Sequence, residues 1–374
     1  MLGLYIHVPF CRKRCHYCNF VVTTANAASM YDEFLTALET EMEFYRDSFN
    51  GKTFDTLYLG GGTPSTLTID EMSRLFHLVN QNFKINPDAE ITCEVNPGDM
   101  DSEKAIATRG FGVNRVSVRV QSFNPETLSR LNRDHGTGEI FPCFEILRKA
   151  GFENISLDLI LSLPHETLSD VQNSLKNAVQ LKPLHISLYE LTIEEGTVFG
   201  QQSKRGKLAV TDENLQLQML SRARDYLKNE GFDHYELLSY ARQGFESRHN
   251  SIYWANEEYL GLGPAAFSYI QGKRFRGSRI VGEYFKKIKN NDWTAVEEEC
   301  LDPEKKEIES FLLALRLSRG AERRRFAGVL QKMRKSLDDL RAKGLVEEAI
   351  DNIRLTERGQ FFAETVFTEL SLPI

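Results

Sequence analysis

The sequence predicts an α/β protein: a parallel sheet of about six strand–helix units followed by a smaller helix-rich module. Short apolar runs alternate with helical patterns through the first two thirds of the chain, the order that builds a parallel sheet with helices outside. Polar and glycine motifs come directly after the strand-like runs, where such sheets collect functional groups. The pattern changes after about Gly200, and the chain closes with helices and a small strand.

Residues 4–8 read as a short buried strand, and residues 30–48 as a helix with Phe34, Leu38, Met42 and Tyr45 on one face. A second strand at 56–59 runs into Gly60-Gly61-Gly62-Thr63-Pro64, and a helix starts near Asp70 with Met72, Leu75, Phe76 and Val79 apolar. Strand-like runs recur at 89–95, 115–120, 155–161 and 185–191, separated by helical stretches such as 139–149 and 169–180. Residues 1–200 therefore form one core. Residues 201–300 hold a helix over 212–229 and an aromatic, polar segment over 235–269. Residues 301–374 predict helices at 304–317, 323–326 and 331–343, a turn at 344–346, a strand at 353–355 and a helix from 357. That last order is winged-helix-like. Only the stretch from Arg319 to Arg325 is strongly basic there, so a structural or partner-docking role is expected rather than DNA binding.

The chain has 374 residues, room for one large α/β domain and a smaller one. Hydrophobic residues at 41% and charged residues at 26% are ordinary for a globular protein. A net charge of −7 argues against a general nucleic-acid binder. No apolar run is long enough to cross a bilayer, and the first strand begins almost at Met1, so no cleaved targeting segment is expected. Of six cysteines, Cys93, Cys143 and Cys300 are scattered and read as packing residues. Disulfides are not expected, and a reducing cytoplasm is.

The other three cysteines, Cys11, Cys15 and Cys18, read C-x-x-x-C-x-x-C, followed by Asn19 and Phe20 with no fourth cysteine close by. Three thiolates can hold three corners of a four-iron cluster and leave one iron open to a small molecule, whereas clusters used only for electron transfer usually close all four corners. Arg12, Lys13, Arg14 and His16 place positive charge around the loop, which is expected to favour thiolate. A structural zinc site completed by His7 or His16 is the alternative.

Gly60, Gly61 and Gly62 allow close backbone approach to a ligand, or simply a tight turn. Glu94 opens Glu94-Val95-Asn96-Pro97-Gly98 at a strand end, and Gln121, Arg133 and Asp158 add an amide, a cation and a carboxylate to the same layer. Each alone could sit on the surface. One shared site accounts for all of them.

With the triad, Tyr5-Ile6-His7-Val8-Pro9-Phe10-Cys11 resembles the radical S-adenosylmethionine (SAM) superfamily. Gly60 to Ser65, Glu94 to Gly98, Asn114-Arg115-Val116-Ser117, Gln121-Ser122-Phe123, Ser156 to Ile160 and His185 to Tyr189 are similar to its coproporphyrinogen-oxidase-like branch. The resemblance spans nearly the whole chain. It implies a partial (β/α)6 TIM-like barrel with a 4Fe–4S cluster on Cys11, Cys15 and Cys18 in its carboxyl-terminal mouth. SAM would chelate the open iron, in a pocket lined by Tyr5, Tyr17, Gly61, Gly62, Thr63, Glu94, Gln121, Arg133 and Asp158. An electron donor for the cluster is implied too.

The branch contains heme chaperones, which pass heme to an acceptor protein, and oxygen-independent coproporphyrinogen III oxidases. The oxidase pattern has a further cysteine two positions after the third, where this chain has Phe20, and an amino-terminal extension, whereas this chain starts close to its first strand. His249-Asn250-Ser251-Ile252-Tyr253-Trp254 resembles the H-N-x-x-Y-W signature of the chaperones. His249, Asn250, Tyr253 and Trp254 are therefore candidate heme contacts, with His7 a competitor for the iron. The bland reading of His249 is a satisfied histidine among packed aromatics. The chaperone is the expected function, with no acceptor identified, no catalytic residue singled out and no nucleic-acid partner. Four departures from the branch pattern bear on SAM more than on the cluster: Arg119 and Asn132 where glycine is usual, Leu161-Ser162 where an aromatic or small residue and glycine are common, and Phe267 where histidine is frequent.

Overall fold

The computed structural model describes residues 1–24 and 28–371. Six parallel strands run in sequence order: β1 (Gly3–Val8), β2 (Thr53–Gly61), β3 (Lys84–Val95), β4 (Arg115–Gln121), β5 (Asn154–Leu161) and β6 (His185–Glu190). Each matches a run read from the sequence, with β2 and β3 several residues longer at their starts. Strict alternation organises them. Leu4, Ile6 and Val8, Leu57 and Leu59, Val116, Val118 and Val120, and Leu157, Leu159 and Leu161 are buried in one core with the flanking helices. The alternate positions are polar and hydrogen-bonded to one another: Tyr58 to Glu94 at 2.9 Å, Ser117 to Asp158 at 3.1 Å and Ser156 to His185 at 2.8 Å. The barrel is therefore greasy towards its helices and polar on its inner face.

Helix starts follow their caps. Thr68 and Glu71 form a capping box ahead of the helix Ile69–Asn82, and Thr167 with Asp170 does the same for Leu168–Gln180. Asp212 and Asp302 cap the helices Glu213–Asn229 and Pro303–Ala314.

Residues 201–300 hold strands that the sequence reading did not resolve. These are β7 (Asp233–Glu236), β8 (Ser239–Ala241), β9 (Tyr259–Leu262), β10 (Phe267–Ile270), β11 (Lys273–Arg276) and β12 (Glu297–Cys300). They extend the sheet at both edges to twelve strands, in the order β12-β11-β10-β9-β1-β2-β3-β4-β5-β6-β8-β7. β9 pairs parallel to β1, while β7, β8, β10, β11 and β12 pair antiparallel. These strands are three or four residues long, too short to show periodicity. Cys93 and Cys143 are buried as expected of packing residues, but Cys300 is exposed on the edge strand β12.

The carboxyl-terminal module has its own core, including Phe311, Leu337, Leu340, Ile353 and Val366. Its three-stranded sheet has the order β13-β15-β14, from β13 (Ala321–Glu322), β14 (Val346–Glu348) and β15 (Asn352–Leu355). Residues 323–326, expected to be helical, form a turn, because β13 must reach the helix that begins at Ala327. The run expected at 331–343 is split at Met333 into Ala327–Lys332 and Arg334–Ala342. Val346, expected in a turn, opens β14 after Gly344, whose φ is 70°. The module meets the barrel through Leu237 N–H to Arg316 O and Ser318 N–H to Tyr235 O, both 3.0 Å.

On the outer layer, half-buried Glu41 accepts from Gly263 N–H and Tyr284 O–H, both at 2.8 Å. Burial pushes its carboxyl up to about 7, against the pull of both hydrogen bonds. The fold thus keeps a proton that the unfolded chain releases at its ordinary value, and stability falls as pH rises between the two. Glu41→Gln should flatten that fall, roughly 3 kcal/mol in full, in urea unfolding measured from pH 4.5 to 8. An unchanged slope would refute the assignment.

Candidate functional site: a cysteine loop at the barrel mouth

The cysteine loop leaves β1 and is held at several points. Cys11 N–H donates to Thr23 O at 3.0 Å and Thr23 N–H to Pro9 O at 2.7 Å, closing the loop on itself. His16 N–H donates to Leu131 O at 3.0 Å, its ring contacts Arg130 O at 2.8 Å, and Phe199 N–H donates to His16 O at 2.9 Å. Asn132 Nδ2 donates to Arg14 O at 2.9 Å. Asn132 and Ser162 have φ of 58° and 62°, the left-handed region where glycine is at ease and asparagine is tolerated. Asn132 is thereby accommodated and adds a tie to the loop, whereas Ser162 takes this backbone at a cost, its Oγ buried without a partner.

Cys11, Cys15 and Cys18 line a cavity of about 450 Å³ at the carboxyl ends of the strands. Tyr17, Gly61, Thr63, Glu94, Gln121, Arg133 and Asp158 border the same cavity, while Tyr5 and Gly62 do not. Thr63 Oγ1 lies 3.4 Å from Cys11 Sγ, and Arg133 Nη1 donates to Cys15 Sγ at 3.4 Å. Arg133 Nη2 also donates to Asn96 Oδ1 at 2.7 Å and Arg119 O at 3.0 Å. Gln121 borders the cavity, and its buried Oε1 has no hydrogen-bond partner, an acceptor in need of one.

The loop's cations do not act on the thiols as expected. Arg12, Lys13 and Arg14 are exposed, and Arg12 is paired with Asp99 at 2.8 Å. Burial dominates instead, pushing the Cys11 thiol up to about 11 and Cys18 upward as well. Metal binding would draw off those protons itself. Neither histidine of the zinc alternative borders the cysteine cavity: His16 is tied to Arg130 O, and His7 lines a neighbouring cleft instead. Among the described residues no three His, Cys, Asp or Glu side chains converge on a single ion. Three thiols around one cavity, with a guanidinium on one sulfur, suit a polynuclear iron–sulfur group, whose cysteines each bind a different iron.

Arg119 is one of the departures expected to bear on the SAM pocket. It stands at an inward-facing position of β4 and donates to Gly62 O, to Gly61 O at 3.3 Å and to Glu94 Oε2. Glu94 Oε1 accepts from Tyr58 O–H at 2.9 Å. Burial pushes the Glu94 carboxyl up and Arg119 pulls it back down.

The His249 segment is the helix Arg248–Trp254, and it divides its side chains among three places. His249 is buried below the barrel floor: its Nδ1 meets Thr56 Oγ1 and its Nε2 meets Tyr253 O–H, both at 2.7 Å. Its ring stacks on Tyr58 with centroids 5.0 Å apart, and burial lowers its pKa to about 3. Asn250 donates its backbone N–H to Ser247 Oγ at 3.3 Å, within the helix cap. Trp254 lies under the Arg316 guanidinium at 4.3 Å, facing the carboxyl-terminal module. Tyr253 alone reaches a second cleft, of about 370 Å³, together with Tyr5, His7, Phe20, Phe267, Arg276 and Arg279. Asn19 and Phe20 border both this cleft and the cysteine cavity.

The radical SAM superfamily profile matches residues 5–178. The chain is 34% identical to the heme chaperone HemW of Bacillus subtilis, over 98% of each chain. It belongs to the HemW family of radical SAM proteins. Similarity extends to HemW of Synechocystis, 37% identical over 84% of this chain and 78% of that one, and to HemW of Escherichia coli, 30% identical over 98% and 97%. A solved structure, the coproporphyrinogen III oxidase HemN of Escherichia coli, superposes with a TM-score of 0.88 at 24% identity, covering 100% of this chain and 90% of that one. That likeness shows the shared barrel and module. No helix among the described residues is long and apolar enough to cross a membrane.

Proposed function

We propose that this HemW-family chain is a heme chaperone: it holds a 4Fe–4S cluster on Cys11, Cys15 and Cys18, binds heme beside it and hands the heme to an acceptor protein. The observation that carries this reading is the near full-length identity to HemW proteins, joined to Phe20 at the position where the oxidase pattern has a cysteine. A cluster with SAM supplies reductive radical chemistry when both are bound. The chain's own part is to bind and orient. Thr63 and Arg133 hold Cys11 and Cys15, and Gln121 offers its free acceptor.

We place heme in the 370 Å³ cleft. Phe20, 57% exposed, and Phe267 give the porphyrin apolar faces, and exposed Arg279 is the cation available to a propionate, since Arg276 is paired with Glu297. His7 is the nitrogen offered to iron, its Nδ1 held only by Tyr5 O–H at 3.2 Å. His249, with both ring nitrogens occupied, acts by anchoring Tyr253. The reducing cytoplasm suits the cluster, with a reductase-type electron donor and a heme-accepting protein as partners.

Two experiments test the reading. Incubation with coproporphyrinogen III, SAM and a reductant should yield no protoporphyrinogen; its appearance would establish the oxidase instead. Heme titration of Arg279→Glu should show affinity lowered about tenfold, and unchanged affinity would remove heme from this cleft.

A further inference from the structure

Three acceptors converge at the edge of the cysteine cavity: Gly61 O, Gly62 O and the Glu94 carboxylate. Two carbonyls and a carboxylate form a subsite for a small cation with several N–H donors. The proposed function, on which this inference rests, puts such a group beside it, because SAM would chelate the open iron through its carboxylate and its amino group, which arrives as an α-ammonium and keeps N–H donors once bound. The chain already fills the subsite with one of its own side chains. The Arg119 guanidinium reaches all three acceptors, and Tyr58 takes the remaining oxygen of Glu94. Arg119 and Glu94 are 14% and 13% exposed, so the pair is little screened by solvent.

We propose that Arg119 is a built-in occupant of the ammonium subsite, which makes this chain hold its cluster while binding SAM weakly. An incoming ammonium must displace a guanidinium from three acceptors, or sit against it as a like charge. The first loses charge-assisted bonds in a nearly closed site, and the second adds repulsion between two cations. The rest of the cavity is unaffected: Gln121 Oε1 is free and Arg133 is tied to Cys15 and Asn96. The obstruction is therefore specific to ligands with a cationic amino group. The open iron stays accessible to neutral or anionic ligands.

The test uses the full chain reconstituted anaerobically, with iron measured first on the same sample. Failure of the wild type to take up iron would overturn the cluster assignment, separately from Arg119. With the cluster present, equilibrium dialysis with SAM should show Arg119→Gly binding at least about tenfold tighter than wild type. Arg119→Lys, which keeps a cation there, should stay close to wild type. 5′-Methylthioadenosine, which keeps the nucleoside but lacks both the amino-acid group and the sulfonium charge, should bind wild type and Arg119→Gly alike, while S-adenosylhomocysteine, which has the ammonium without the sulfonium, should gain affinity in Arg119→Gly as SAM does. The electron paramagnetic resonance signal of the reduced cluster should shift on adding SAM to Arg119→Gly and not to wild type. Arg119→Gln, which removes the charge while filling more of the space, repeats the comparison if the glycine variant fails to fold. Equal SAM affinity in wild type and the uncharged variant would overturn the proposal. So would an equal gain for methylthioadenosine, which would mean only that the cavity had widened.

Discussion

Cys15→Ala is expected to abolish iron uptake, from about four irons per chain to near none, while the protein stays folded. Cys15 is half-buried in a loop outside every strand and helix of the barrel. Its thiol contacts Arg133, which has two further partners in Asn96 Oδ1 and the Arg119 carbonyl and so keeps its place. The loop itself is fastened by backbone bonds on either side, from Cys11 to Thr23 and from His16 to Leu131. Loss of one thiolate removes a corner of the cluster without removing a fold contact. Iron assay after anaerobic reconstitution and circular dichroism of the same sample check both halves. Full iron content in the variant would end the cluster assignment.

His249→Ala is expected to act in the opposite manner, on stability first. The ring is buried, with a 2.7 Å hydrogen bond at each nitrogen and a stacked tyrosine. Alanine would open a cavity and leave Thr56 and Tyr253 hydroxyls short of a partner, a cost of about 3 kcal/mol. Urea unfolding measures it, and a loss below about 1 kcal/mol would contradict this packing role. Heme binding should weaken through the slackened Tyr253, and Tyr253→Phe, which keeps the ring and loses only the hydroxyl, should reproduce part of that weakening. The absorption spectrum of bound heme should keep its form in His249→Ala. A changed spectrum in that variant alone would put the imidazole on the iron and return His249 to the role that its motif suggested.

Tertiary placement decided those two outcomes differently. The cysteine spacing is a local property, because loop residues three and four apart stay together wherever the loop goes. The histidine motif is also local, but its helix packs only His249 and Ile252 into the protein, so one heptapeptide sends His249 to the core, Tyr253 to a cleft and Trp254 to another module. No spacing rule carries that information. The loop cations misled for a similar reason. Arg12, Lys13 and Arg14 are neighbours of the thiols in sequence, and Lys13 and Arg14 border the same cavity, yet all three are solvent-exposed, so their charge is screened and desolvation of the thiols outweighs it.

The barrel itself was written in the chain as alternation. Apolar residues at every second position of β1 to β6 must turn to the helices, which forces Tyr5, Tyr58, Glu94, Ser117, Arg119 and Asp158 inward, and caps such as Thr68 and Thr167 set the helix starts. Local chemistry of this kind fixes side-chain face, element order and the spacing of the three cysteines before any folding is considered. The short strands of the sheet edges, the three-way split of the His249 helix and the capture of Glu94 by Arg119 came only with the tertiary structure. Each depends on groups far apart in sequence meeting in a space too small and dry to leave a charge or a strand edge without its partner.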